Sequence, residues 1–325
     1  MTLCGSCVAV EYPYECIFWD SYISGKPCPL LNTPYQKYCP SCNTEFVEKT
    51  MEEYEEKANL LIETTRLTNI VESLPSTFIP EVRPTDSERI KCMKVIKEIG
   101  HPIIAVSISK FFDGSNETSL FRKASGQGLH GLYHFDGKIL LTTDVQNELC
   151  NLFLRKTDYF VKVIRSLSPD YVTTPDTYTY YNLPAAISRL KIAQTLLTLP
   201  AWNETECPVI GLVLGSNLMQ IHHYALTLLK LGIRLFAYPC YEMRLLRMDK
   251  LIRIRINHLR QRLKCKVLVL SCGPGSGRRF VDADYYSTLS WSISSNPKRS
   301  LCRLIALSER RATQRCLMIN GCWKS

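Results

Sequence analysis

From about residue 88 onward, short apolar runs alternate with stretches of helical periodicity, and nothing else in the 325-residue chain constrains its fold so strongly. The runs are Ile103–Ser107, Lys138–Thr142, Asp170–Thr174, Val209–Leu214, Arg234–Tyr238, Lys266–Leu270 and Tyr285–Leu289. Apolar runs this short, bounded by turn residues, read as strands buried on both faces. Helical patterns fall between most of them, near 145–167, 183–199, 217–231 and 241–264. Strands alternating with helices build a parallel sheet covered by helices. The expected class is α/β, a (β/α)8 TIM-like barrel, with a doubly wound open sheet as the alternative. No glycine-rich dinucleotide turn follows the first run, which favours the barrel. Seven strands are visible, and an eighth is expected at Leu301–Leu307 or near Leu129–Tyr133.

The chain ahead of the barrel has a different character. Six of the fifteen cysteines lie in the first 42 residues: Cys4, Cys7, Cys16, Cys28, Cys39 and Cys42. This stretch is too short and polar to form a core alone, so it needs a staple. Cys4-Gly-Ser-Cys7 and Cys39-Pro-Ser-Cys42 are two CxxC knuckles, which together make a tetrahedral four-thiolate site. Zinc is the expected ion, with an iron–sulfur cluster as the alternative. Cys16 and Cys28 leave other ligand combinations open. A closed four-thiolate site has no vacant position, so its role would be structural. Residues 47–74 read as one long helix, ended by Pro75, Pro80 and Pro84. The expected organisation is a cysteine-rich metal-binding module at 1–46, a helical linker at 47–87, the barrel at 88–300 and a basic C-terminal tail at 301–325.

Lys and Arg number 40 against 30 Asp and Glu, a net charge of +10 that favours a polyanionic partner. The segment 242–266 concentrates positive charge along one helical pattern and is a candidate phosphate-contacting strip. No apolar run is long enough to span a bilayer, so no membrane partner is expected. The start lacks a basic region followed by an apolar stretch, so a cytoplasmic location is expected. A homodimer is compatible with the sequence.

In a parallel barrel, functional residues sit at the C-terminal ends of the strands. Asp144 follows KILLTT, Asp176 follows DYVTTP, and Gly215 and Ser216 follow VIGLVL. Asp282 and Asp284 lie in FVDADYYSTLSW, and the glycine-rich GPGSG follows KVLVLS. Carboxylates at such positions can exchange protons, attack a sugar carbon, or accept from the N–H edge of a purine. Each could instead cap the next helix.

From about residue 138 to 295, the order of these strand ends resembles the tRNA-guanine transglycosylases. Those enzymes are (β/α)8 barrels that exchange guanine for a 7-deazaguanine base. Ile139 to Asp144 resembles the strand whose Asp is a general acid/base. Asp170 to Asp176 resembles the strand whose last Asp reads the purine edge. Pro208 to Ser216 resembles a strand ending in Gly-Gly beside the base, which makes Gly215 and Ser216 candidate base-binding residues. The Pro-Asp at 175–176 and the Ser-Trp at 290–291 look closest to the branch that inserts 7-deazaguanine into DNA. The resemblance thus implies DNA, more than tRNA, as the substrate. Tyr178, Tyr180 and Tyr181 could stack on a base.

The departures from that family bear on the chemistry. Val145, Gln146 and Asn147 follow the first Asp instead of Ser-Gly-Gly. In strict register the nucleophilic Asp falls on Ser287, with Asp284 and Asp282 earlier; Asp284 is the candidate retained beside Asp144 as catalytic. The alternative is a barrel that binds nucleic acid and has lost catalysis.

Overall fold

The computed structural model describes residues 44–82, 86–145, 147–177, 179, 185–240, 249–271, 283–288, 291–292, 294 and 296–319. The metal-ligand candidates Cys4, Cys7, Cys39 and Cys42 therefore lie outside the described residues. So do Asp282, Tyr178, Tyr180, Tyr181 and the GPGSG loop.

Eight parallel strands follow one another around a barrel in chain order. They are β1 (Phe78–Pro80), β2 (Ile103–Ser107), β5 (Lys138–Thr142), β6 (Tyr171–Thr173), β7 (Val209–Leu212), β8 (Leu235–Pro239), β9 (Lys266–Leu270) and β10 (Tyr285–Thr288). A two-stranded antiparallel hairpin, β3 (Phe112–Asp113) and β4 (Asn116–Glu117), projects from the loop after β2. Helices α1 (Thr44–Thr64), α2 (Asp86–Ile99), α3 (Ser119–Tyr133), α4 (Asn147–Arg155), α5 (Thr157–Leu167), α6 (Ala185–Leu196), α7 (Leu218–Lys230), α8 (Asp249–Asn257) and α9 (Pro297–Ile319) accompany them.

The seam between the first and second strands is the narrowest. It rests on the bridge Glu81↔Ala105 and on Val82 N–H donating to the Ala105 carbonyl at 2.9 Å. Following the strand registers once around from Glu81 through Ala105, Leu140 and Tyr171 returns to the first strand at position 73, a stagger of eight residues. Eight strands with a shear of eight define the (β/α)8 barrel. The strands are apolar on both faces because their interior side chains fill the barrel and their exterior ones meet the helices. Ile103, Ile104, Ala105 and Val106 are all essentially inaccessible, as are Ile139, Leu140 and Leu141.

The eighth strand is at neither expected place. It is the first in the chain, Phe78–Pro80, inside the segment expected to be a helical linker. Leu129–Tyr133 is the end of α3, and Leu301–Leu307 lies within α9. In α9, Leu301 is buried and Leu304 and Ile305 are partly buried, a helical spacing that packs on the barrel. Thr77 donates to Ser308 across that contact at 3.0 Å. The stretch expected to be a basic tail is therefore a docked helix at least as far as Ser308.

The helix expected over 47–74 ends at Thr64. Leu67, Val71 and Leu74 keep helical spacing but are buried at the N-terminal end of the barrel, in irregular backbone. Leu67 N–H donates to the Leu231 carbonyl, and Val209 N–H donates to the Asn69 carbonyl at 2.8 Å. This segment covers the floor, so burial there outweighs local periodicity. It leaves the opposite end, where the strand C-termini gather, as the open face.

Candidate functional site

At the open face, backbone ladder bonds give way to side-chain hydroxyls. The Thr-Thr pairs that end β5 and β6 are fully buried at Thr143, Thr173 and Thr174. Thr143 N–H donates to Thr173 Oγ1 at 2.8 Å, and Leu212 N–H donates to Thr174 Oγ1 at 2.7 Å. Thr143 Oγ1 also donates to the Thr174 carbonyl. Buried backbone donors must find partners, and these threonines supply them where the strands diverge. The effect is to hold the Asp144 and Asp176 loops side by side.

Asp176 fastens that arrangement. Its Oδ2 accepts from Val145 N–H at 3.1 Å and its Oδ1 from Thr177 N–H at 2.8 Å. Cys150 in α4 is buried nearby and donates to the Val145 carbonyl. Burial first, then the charges of Asp176 and Asp144, push its thiol far above the ordinary cysteine range. Cys150 is therefore a packed thiol and not a nucleophile.

Asp144 lines a small open cleft together with Glu81, Val82, Ser107, Lys110, Thr142 and Ser271. Glu81 was not a sequence candidate. It follows β1, and its carboxylate is held from two sides. Ser271 N–H donates to Oε1 at 3.0 Å and Ser287 Oγ donates to the same oxygen at 2.9 Å. Ser271 sits at φ 54°, in the left-handed region, immediately after β9. A non-glycine residue held there stores strain, and such strain collects at functional sites. The buried indole of Trp291 donates to the Glu81 carbonyl at 3.2 Å, which fixes the backbone as well.

Other candidates occupy less direct positions. Gly215 has φ 146°, and a Cβ there would meet Ile221 backbone nitrogen at 2.8 Å, so the turn after β7 requires glycine. Ser216 is buried; its N–H and hydroxyl both donate to Gln220 Oε1, at 3.2 and 3.1 Å. Its carbonyl accepts from buried Arg255 at 2.6 Å. Ser216 thus secures its turn.

Asp284 is at the other end of the barrel. It precedes β10, and its carboxylate forms a bidentate pair with Arg260 at 2.9 and 3.0 Å. Its Oδ2 also accepts from Val267 N–H at 2.9 Å. The structure therefore does not bring Asp284 together with Asp144, and the catalytic role expected of it has no geometric basis. Ser287, three residues further on, is completely buried inside β10 and turned toward Glu81. The basic segment is divided too: Arg255 and Arg260 point inward, while Lys250 and Arg253 are exposed. Residues 242–248 of it lie outside the described residues.

Among the described residues, no group of three or more His, Cys, Asp or Glu could hold a metal ion, and no helix is long and apolar enough to cross a membrane. Among the described residues, Cys92, Cys150, Cys207, Cys240 and Cys265 are buried and outside any disulfide.

Fold and cleft together define a (β/α)8 barrel protein with carboxylates gathered at the open end of its strands. No known family model matches the chain, and no curated protein sequence does. Among solved structures it is similar to the glycerol uptake operon antiterminator regulatory protein from Listeria monocytogenes str. 4b F2365, at 11% identity. That likeness covers 68% of this chain and 95% of the other, with a TM-score of 0.33, too slight to carry an argument.

Proposed function

We propose that this chain is a transglycosylase that replaces guanine by a 7-deazaguanine in nucleic acid, in DNA more than in tRNA, by carboxylate-assisted cleavage of the N-glycosidic bond. The observation that carries this reading is the fixed juxtaposition of the Asp144 and Asp176 loops at the open end of adjacent strands. Breaking an N-glycosidic bond builds positive charge on the sugar carbon and leaves a purine whose ring proton must be managed. Asp144, in the cleft, moves that proton. Asp176, at the neighbouring strand end, reads the N1–H and amino edge of guanine, which adenine does not present. Lys110, exposed at the rim of the cleft, supplies positive charge for a backbone phosphate. The net charge of +10 supports a polyanionic substrate. Cys4, Cys7, Cys39 and Cys42 would hold a structural zinc on the strength of their spacing alone, with an iron–sulfur cluster as the alternative.

A second reading, a nucleic-acid-binding barrel without catalysis, is favoured by one observation: Ser287 stands where the family's nucleophile falls, and its hydroxyl is given to Glu81. Incubation of the full chain with radiolabelled guanine and either duplex DNA or tRNA separates the two. Incorporation into one pool, reduced about 100-fold or more by Asp144→Asn, supports the enzyme. Binding of both nucleic acids without incorporation supports the second reading.

A further inference from the structure

We propose that Glu81 is the carboxylate that attacks the sugar, an assignment that rests on the transglycosylase reading. Three observations converge on it. Among the described residues, Glu81 and Asp144 are the acidic residues lining the cleft, on strands separated by one, so a substrate lying in the cleft meets a carboxylate from each. A carboxylate pair flanking a glycosidic bond is the minimal apparatus for its displacement. The Glu81 carboxylate is also oriented, by Ser271 N–H and Ser287 Oγ on Oε1, while Trp291 holds its carbonyl. Groups that must act in one geometry are held by neighbours that are themselves fixed, as Ser287 and Trp291 are by complete burial. Finally, Asp284, the acidic residue just ahead of the last strand, is on the barrel floor, paired with Arg260 and remote from the cleft.

The step balances without a further reactant. A Glu81 oxygen forms a bond to the anomeric carbon as the bond from that carbon to the guanine ring nitrogen breaks. The electron pair of the broken bond leaves with guanine, which takes a proton from Asp144. The product is a glycosyl ester of Glu81. The incoming base then loses its ring proton to Asp144 and attacks the same carbon. The ester bond breaks, its electron pair returns to Glu81, and nothing is oxidised or reduced.

The test uses the wild-type full chain and guanine-containing DNA or tRNA without an incoming base. The complex is denatured and digested, and the sugar-bearing peptide is identified by mass spectrometry. The expected adduct is on Glu81. Glu81→Gln should lose the adduct and slow guanine exchange by at least about 1,000-fold while binding the same nucleic acid as well as wild type. An adduct on Asp144, Asp176 or any other residue overturns the assignment, as does exchange at the wild-type rate in Glu81→Gln; both outcomes leave the transglycosylase reading standing. Absence of exchange by the wild type in either pool overturns both.

Discussion

Ser287 donates its hydroxyl to Glu81 across the junction of the last strand with the first, at 2.9 Å, in the register that sets Ile79 opposite Ser287. The serine is thus a support for the acidic residue beside it. Ser287→Ala should leave base exchange within about an order of magnitude of wild type and cost about 1 kcal/mol of stability, the net worth of one hydrogen bond. Exchange rates and urea midpoints measure the two effects. Complete loss of exchange with unchanged stability would mean that the hydroxyl itself takes part in the chemistry.

Asp284→Asn should separate stability from activity in the opposite sense. The carboxylate holds Arg260 bidentately and caps the backbone of Val267, so the variant should lose about 2 kcal/mol. Exchange per folded molecule should not change, because the residue is at the floor. A large fall in turnover in a variant with a wild-type urea midpoint would contradict this placement.

Gly215→Ala tests the turn after β7. The added Cβ would sit 2.8 Å from the Ile221 backbone nitrogen at a φ of 146°, so the cost should reach about 2 kcal/mol or more. Thermal unfolding measures it. A neutral result would show that the start of α7 can move.

Stability should fall as the solution is acidified through the histidine range. Burial holds the pKa of His101 below its ordinary 6.5, against the opposing effects of its bond to the Ile103 carbonyl and of Glu309. His258 is shifted the same way, by burial and then by His222 and Arg262. The unfolded chain therefore binds a proton at pH values where the folded chain does not. The associated stability is fully present above 6.5 and drains away below it, until the folded-state values are passed. His101→Gln should flatten the urea midpoint between about pH 7 and about pH 5. An unchanged slope would place the titration elsewhere.

The barrel was legible because seven strands are continuous apolar runs, and Asp144 and Asp176 were legible because they follow such runs. Phe78–Pro80 was not, since three residues between prolines carry no periodicity and proline usually marks a linker. Missing that strand hid Glu81. Pro80 is tolerated there as the strand's last residue, after which Glu81 N–H resumes the ladder to the Thr288 carbonyl at 3.1 Å. The placement of Asp284 was within reach of the sequence: it precedes its run, and a residue ahead of a parallel strand belongs to the floor. The pairing of Ser271 and Trp291 with Glu81 is between residues remote in sequence and had no local signal.

The floor of the barrel obeys a two-fold symmetry. Asp170 and Asp284 each precede a strand, the fourth and the eighth around the barrel. Each N–H donates to the carbonyl of a residue on the preceding strand, Ile139 or Val267, and each carboxylate accepts that same residue's N–H. Each is also paired with a base, Lys138 in one case and Arg260 in the other. The two half-barrels are therefore clasped alike from below. Above, among the described residues, Glu81, Asp144 and Asp176 stand on the first, third and fourth strands, all in one half. A ligand held by these carboxylates leans on the first half-barrel and meets the second, at Ser271, as its wall.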